Sequence, residues 1–214
     1  ILLSDGYIAN GSEPWKIPDV SKIPIIKTNF AKPNSNDFMP YKHDEKTLAR
    51  KWAIPGMEGL EHRIGGLEKS DVTGNVDYDP DNHHFMTLQR QKKVDIIANF
   101  IPEAKVLGET KGELLVLSWG GVYGSVKSAV SKAQGLGLSV SFVHIRYLNP
   151  FPKNLGELLV NFNKILIPEL NLGQLLSIIR SKYLVDAKGL NKVAGKSFTS
   201  SEIFKKIETI LKEK

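Results

Sequence analysis

A chain of 214 residues can hold one large domain or a compact domain with an appended segment, and 41% apolar with 24% charged residues is the make-up of a folded chain, not a disordered one. The 29 Lys and Arg outnumber 23 Asp and Glu, but the charges are interleaved and form no basic run beside aromatic platforms, which argues against nucleic acid as a partner. Cysteine is absent, which excludes disulfides, zinc–thiolate sites and thiolate-bound iron–sulfur clusters from this chain.

No apolar run approaches the roughly 18–20 residues of a membrane span, and no charged segment with a following apolar stretch marks a secretory signal. The expectation is a cytoplasmic protein with no membrane partner. Ile1-Leu2-Leu3-Ser4 reads as the end of a buried strand without a preceding turn, which predicts that the natural protein extends upstream. From residue 4 to 80 the chain is rich in Pro, Gly, Asn and Asp, and Pro14, Pro18, Pro24, Pro33, Pro40, Pro55 and Pro80 break every candidate helix except a short one over Asp44 to Ala53. So long an irregular stretch predicts a connecting segment, extended over residues 20 to 80, that packs on surfaces outside the following domain. Trp52 and Ile54 are expected to be exposed there as part of a partner surface.

A helix is predicted from Asn82 to Phe100, capped by Asp81 and with Phe85, Leu88, Ile96, Ile97 and Phe100 as its apolar positions. The pattern then becomes regular: a strand at 114–117, a helix with Val122, Val126, Ala129, Val130, Ala133 and Leu136 on one face, and Gly137 at its C-cap. A strand at 140–145, a helix over 154–162, a strand at 165–167, a helix over 172–183 and a weak strand at 192–194 follow. The last helix opens on Thr199-Ser200-Ser201-Glu202, the spacing of a capping box, and continues with Ile203, Ile207, Ile210 and Leu211 in one stripe. Such alternation predicts an α/β fold, a three-layer α/β/α sandwich with a mostly parallel sheet, preceded by a long irregular linker.

Ser118-Trp119-Gly120-Gly121-Val122-Tyr123-Gly124 lies between a strand and a helix, where backbone amides can hold a phosphate. Gly120, Gly121 and Gly124 are therefore candidate contacts to coenzyme A or a phosphate, the alternative being that these glycines serve only strand–helix packing. NAD is disfavoured, because the next strand ends His144-Ile145-Arg146 and offers no acidic residue for a ribose. Asp77-Tyr78-Asp79-Pro80-Asp81-Asn82 opens like a calcium loop, yet Asn82 and Leu88 stand where an EF-hand needs Gly and Glu, so a turn and helix cap is the reading. His43, His62, His83, His84 and His144 give no metal-ligand spacing, and no metal site is predicted. His144 is expected near a strand end, placed to titrate if it faces a cleft. The glycine- and charge-rich stretch from Gly59 to Glu68 suits a binding loop or a subunit contact in which Arg63 pairs with Glu61 or Glu68.

Six strings, in order, carry a resemblance: Leu3 to Trp15, Pro55 to Glu68, Thr73-Gly74-Asn75-Val76, Ser118-Trp119-Gly120-Gly121, Arg146 to Pro152, and Ile167 to Leu175. Together they resemble the alpha subunit of the 2-oxoglutarate:ferredoxin oxidoreductases, also called 2-oxoglutarate synthases, over its C-terminal part. The resemblance implies oxidative decarboxylation of a 2-oxo acid to an acyl-CoA. It further implies thiamine diphosphate and magnesium in the full complex, an iron–sulfur cluster on a partner beta subunit, and ferredoxin as electron acceptor. None of these groups is expected on this chain by itself. It implies, too, that residues 1–20 end a thiamine-pyrimidine-binding domain, 21–105 form a linker with one helix near 82–100, and 106–214 form a domain similar to the C-terminal domain of transketolase. The family's Tyr-Pro-Ile-Thr-Pro and Arg-Gly-Gly-Pro-Ser-Thr-Gly strings are absent, so no catalytic residue is carried over. The equivalent subunit acting on pyruvate or a branched 2-oxo acid, and a stand-alone nucleotide- or CoA-binding module, remain the alternatives.

Overall fold

Leu114 to Leu117 are four consecutive apolar residues, a run that suits a strand covered on both faces. The computed structural model describes residues 1–3, 9–12, 14 and 16–213, and divides into two units, Ile1–Ile97 and Ala98–Lys214. In the second unit the run lies within the central strand of a five-stranded sheet. Its strands are β1 (Val106–Leu107), β2 (Gly112–Trp119), β3 (Val140–Ile145), β4 (Phe162–Glu169) and β5 (Ala187–Asn191), in the spatial order β1-β3-β2-β4-β5. All neighbours are parallel except the short edge strand β1, which runs antiparallel to β3 and pairs Val106 with Val143.

Alternate residues of β2 serve opposite cores. Leu114 and Val116 pack with Val126, Ala129, Val130 and Ala133 of α2 (Tyr123–Gly135) and with Ile203, Ile207 and Ile210 of α5 (Ser200–Lys212). Leu115 and Leu117 pack with Leu155 and Leu159 of α3 (Leu155–Val160) and with Leu175 and Ile179 of α4 (Gln174–Tyr183). The expected three-layer sandwich is thus present, with its strands and helices within a few residues of the predicted bounds.

Two expectations in this unit need correction. The final strand is β5 at 187–191 rather than 192–194, because the i,i+2 spacing of Ala187 and Gly189 lets a half-buried edge lie against β4, with Ile165 opposite Ala187. The edge strand β1 has no signal in the sequence, since two residues carry no periodicity.

In the first unit, Ile1, Leu2 and Leu3 form no strand and are exposed, and Ser4 lies outside the described residues. The segment 20–80 is irregular as expected, but it is folded back by turns and single bridges, among them Tyr41 with Val72, His43 with Arg50 and Lys69 with Val76. The expected helix over Asp44 to Ala53 is absent. Asp44 Oδ1 instead accepts from the amides of Lys46 and Thr47, and Leu48 takes a left-handed φ of 53°, so that the chain reverses and His43 meets Arg50. A side chain that satisfies local amides in a turn competes with the helix. Trp52 and Ile54 are exposed, as predicted.

The helix that ends this unit, α1 (Pro80–Ile96), starts two residues earlier than expected and is capped by Asp79, not Asp81. The Asp79 carboxylate accepts from the amides of Asp81 and Asn82, and Pro80 occupies the first turn where its missing N–H costs nothing. The helix proper stops at Ile96 and a 3-10 turn runs to Asn99, short of Phe100.

Candidate functional site

In an open parallel sheet, ligands favour the crevice beyond the carboxyl ends of strands whose crossovers leave in opposite directions. Here that crevice lies between β2, whose crossover leads to β3 on one side, and β4, whose crossover leads to β5 on the other. It is filled by the chain itself. Glu169, at the end of β4, is buried, and its Oε2 accepts from the Leu175 amide at 2.9 Å, Asn171 Nδ2 at 3.0 Å and Trp119 Nε1 at 3.3 Å. Its Oε1 accepts from the Leu176 amide at 2.9 Å, and Asn171 Oδ1 takes the amides of Gly173 and Gln174. The opening amides of α4 are therefore saturated by a built-in carboxylate and carboxamide, where a bound anion would otherwise sit.

The predicted glycines follow β2. Gly120 has a φ of +63°, which explains glycine there, and a 3-10 turn over Gly120–Val122 leads into α2. Gly120, Gly121 and Gly124 are exposed, and a Cβ on any of them would meet nothing within 4 Å. The turn is open, and packing between strand and helix does not require glycine at Gly121 or Gly124.

Their neighbour Tyr123 lines a cavity to which none of the three glycines contributes. A cavity of about 470 Å³ lies beyond the carboxyl end of β3, where the segment before β1 peels away from the sheet and Ala104 is held by a pair of hydrogen bonds to the Asn154 side chain. Its walls come from residues 102–107, from Tyr123 and Lys127 of α2, and from Phe142 to Tyr147 with the exception of Val143. Tyr123 and His144 meet edge to face with ring centroids 5.0 Å apart, and Phe142 lies 6.2 Å from His144. Three cations, Lys105, Lys127 and Arg146, line the same space with one carboxylate, Glu103. Among the described residues none of the three cations is in an ion pair.

His144 sits at this wall as expected, half-buried, with Nδ1 2.8 Å from the Ser118 hydroxyl. Burial, and then the neighbouring charge of Arg146, hold its pKa below the usual imidazole value, so the ring is predominantly neutral near pH 7. The Ser118–His144 pair does not make a nucleophile, because Ser118 is fully buried in the sheet.

Elsewhere, the stretch from Gly59 to Glu68 differs from its predicted pairing. Glu68 binds Arg90 and His83 of α1, at 3.2 and 2.6 Å, and Arg63 is in no ion pair among the described residues. The geometric reason is that the bridge of Lys69 with Val76 folds residue 68 towards the start of α1, which sequence spacing cannot reveal. Lys69 itself is buried and donates to the carbonyls of Gly65 and Leu67, closing that loop. His43 Nδ1 lies 3.2 Å from Asp71 Oδ1 but makes no directed hydrogen bond to it. Among the described residues no group of three or more His, Asp or Glu side chains could hold a metal ion, and no helix is long and apolar enough to cross a membrane.

Residues 112–203 match the family described as pyruvate:ferredoxin oxidoreductase core domain II. Over 212 residues the chain is 51% identical to the KorA subunit of 2-oxoglutarate oxidoreductase from Mycobacterium tuberculosis, covering 99% of this chain and 32% of that one. It is 30% identical over 188 residues to the alpha subunit of 2-oxoacid:ferredoxin oxidoreductase 1 from Aeropyrum pernix, covering 84% of this chain and 29% of that subunit. A 2-oxoglutarate:ferredoxin oxidoreductase from Magnetococcus marinus, solved with 2-oxoglutarate, coenzyme A and succinyl-CoA bound, superposes with a TM-score of 0.82 at 24% identity, covering 91% of this chain and 34% of that one; this likeness establishes the fold. The chain spans about a third of the length of these relatives. With half of its residues shared along nearly its whole length, the chain is similar to the KorA subunit of 2-oxoglutarate oxidoreductase over the third of that subunit that it matches.

Proposed function

We propose that this chain is the transketolase C-terminal-like domain and preceding linker of an alpha subunit whose complex converts 2-oxoglutarate and CoA to succinyl-CoA and CO2 and reduces ferredoxin. The observation that carries this reading is the 51% identity, sustained over 99% of the chain, to a 2-oxoglutarate oxidoreductase subunit. In it, residues 1–20 close the pyrimidine-binding domain, 21–105 link, and 106–214 form the C-terminal domain. The role of the chain is structural, in assembly with the beta subunit, for which the exposed Trp52 and Ile54 offer apolar contact. The open Gly120–Gly124 turn is a CoA or phosphate contact in the same reading.

Thiamine diphosphate, when bound to such a complex, supplies the carbanion-stabilising ring. In this reading the diphosphate, magnesium and iron–sulfur cluster are held on the beta side; the chain itself has no cysteine for a thiolate-held cluster. No chemical step is assigned to residues of this chain.

The test combines the full-length alpha subunit with beta and measures CoA-dependent ferredoxin reduction with 2-oxoglutarate and with pyruvate. The expected outcome is activity with 2-oxoglutarate, lost when the 214-residue chain replaces full-length alpha. Activity with pyruvate but not 2-oxoglutarate would favour the second reading, the equivalent subunit for another 2-oxo acid, to which the name of the matched family points.

A further inference from the structure

The cavity beyond β3 combines features that no structural role of the fold calls for. Three cations line it against a single carboxylate, and none of them has an anionic partner among the described residues. Unpaired cations are ordinary on a surface, and Lys105, Lys127 and Arg146 are each exposed. What distinguishes these three is that they line one recess of about 470 Å³, within the roughly 300–1,000 Å³ of small-molecule pockets. The neighbouring wall is aromatic: Tyr123, Phe142 and His144 touch one another, and Lys127 Nζ lies 5.7 Å from the centre of the Tyr123 ring. Tyr147, on the same lining, is in no ring contact among the described residues and is 43% exposed.

We propose that this cavity is a binding site for a phosphorylated nucleoside, with Lys105, Lys127 and Arg146 taking the phosphates and Tyr123 or Tyr147 stacking on the base. The anionic end has three positive charges to neutralise it, and Arg146 brings a planar fork of donors suited to phosphate oxygens. The base end has a π-face to lie against. The single carboxylate Glu103 leaves the recess with an excess of two positive charges at neutral pH, given the neutral His144. The location also follows from the fold. The usual crevice between β2 and β4 is occupied by Glu169 and Asn171, whereas the carboxyl end of β3, on the same edge of the sheet, opens into a cavity. The site is built wholly from residues of the C-terminal unit, so binding can be read on this chain by itself, and its absence would leave the oxidoreductase reading standing.

Calorimetric titration of the purified chain tests it, with 3′,5′-ADP, ADP, adenosine and tripolyphosphate as probes. Saturable sub-millimolar binding of at least one of the two nucleotides is expected, with adenosine and tripolyphosphate each weaker by about tenfold or more, since each lacks one half of the recognised group. The ratio between 3′,5′-ADP and ADP tells a nucleotide carrying a ribose phosphate from a simple diphosphate. Lys127→Gln with Arg146→Gln should weaken nucleotide binding by about tenfold or more, charge-assisted contacts having been lost. The exposed control Lys205→Gln should not change it, and both proteins should melt like the parent. Lack of saturable nucleotide binding to the folded parent, tripolyphosphate binding as tightly as nucleotide, or equal loss in the control would each overturn the proposal. Should the double variant fail to fold, Tyr147→Ala replaces it as the probe of the site, with loss of the preference for nucleotide over tripolyphosphate expected and its retention counting against.

Discussion

Glu68 shows how much an exposed-looking loop can depend on one carboxylate. Hydrogen bonds from Arg90 first, and then His83, hold its pKa down to about 2, against an ordinary value of 4.5. The folded state therefore prefers the ionised carboxylate more than the unfolded chain does. The resulting stability is fully present above pH 4.5 and disappears as pH falls towards about 2. We expect Glu68→Gln to lower stability near pH 6 by up to about 1 kcal/mol, the scale of a partly exposed ion pair. The gap between variant and parent should close on acidification to pH 2, as read by thermal melting across the series. A gap that persists unchanged at pH 2 would assign the effect to packing. At this scale the sequence was least informative: a carboxylate at 68 and an arginine at 90 sit 22 positions apart, and only the fold of the intervening turn brings them together. The same holds for Glu169, whose role depends on amides in the next element.

Elements were far more legible, because their signals are local. The capping box at Thr199 and Glu202 is present in both directions, and the apolar stripe of α5 is buried on one face. The end of α2 follows its sequence signal equally closely. Gly137 has a φ of +76°, its amide bonds to Gln134 at 2.9 Å, and the Leu138 amide reaches Ala133 at 3.1 Å, the paired bonds of a Schellman motif. Gly137→Ala should cost about 1–2 kcal/mol through the left-handed conformation alone, since a Cβ there meets no neighbour within 4 Å. Chemical denaturation can measure this, and an unchanged midpoint would show that the turn relaxes. The elements that escaped prediction did so for stated reasons. β1 is too short to show a period, β5 is a half-buried edge with a glycine at its centre, and Asp44 turned a helical-looking stretch into a reversal by binding its own neighbours. The glycine turn at 120–124 was legible as a strand–helix junction, but the cavity beside it was not, because its walls come from residues 102–107, two positions of α2 and the end of β3.

At the scale of the molecule, burial is unevenly distributed between the two units. Among the described residues, the buried apolar ones before Ala98 are Ala31, Leu48, Leu60 and Met86, whereas the sheet and helices after it carry two continuous cores. Local opening should therefore cost much less free energy in the first unit. Brief trypsin treatment is expected to cut first at exposed sites such as Lys16, Lys27 and Arg63, leaving a resistant fragment that contains residues 112–211. Early cleavage inside the sheet domain with the segment 20–80 intact would contradict this. The closed crevice between β2 and β4 has a consequence for what such a domain can become. Glu169 behaves as a tethered competitor: its carboxylate is fixed on the scaffold and does not diffuse away, so a ligand could enter only by displacing four hydrogen bonds. A fold whose ordinary ligand seat is taken by its own side chains keeps that crevice as part of its frame, so the strand ends on either side are held rigid without a ligand.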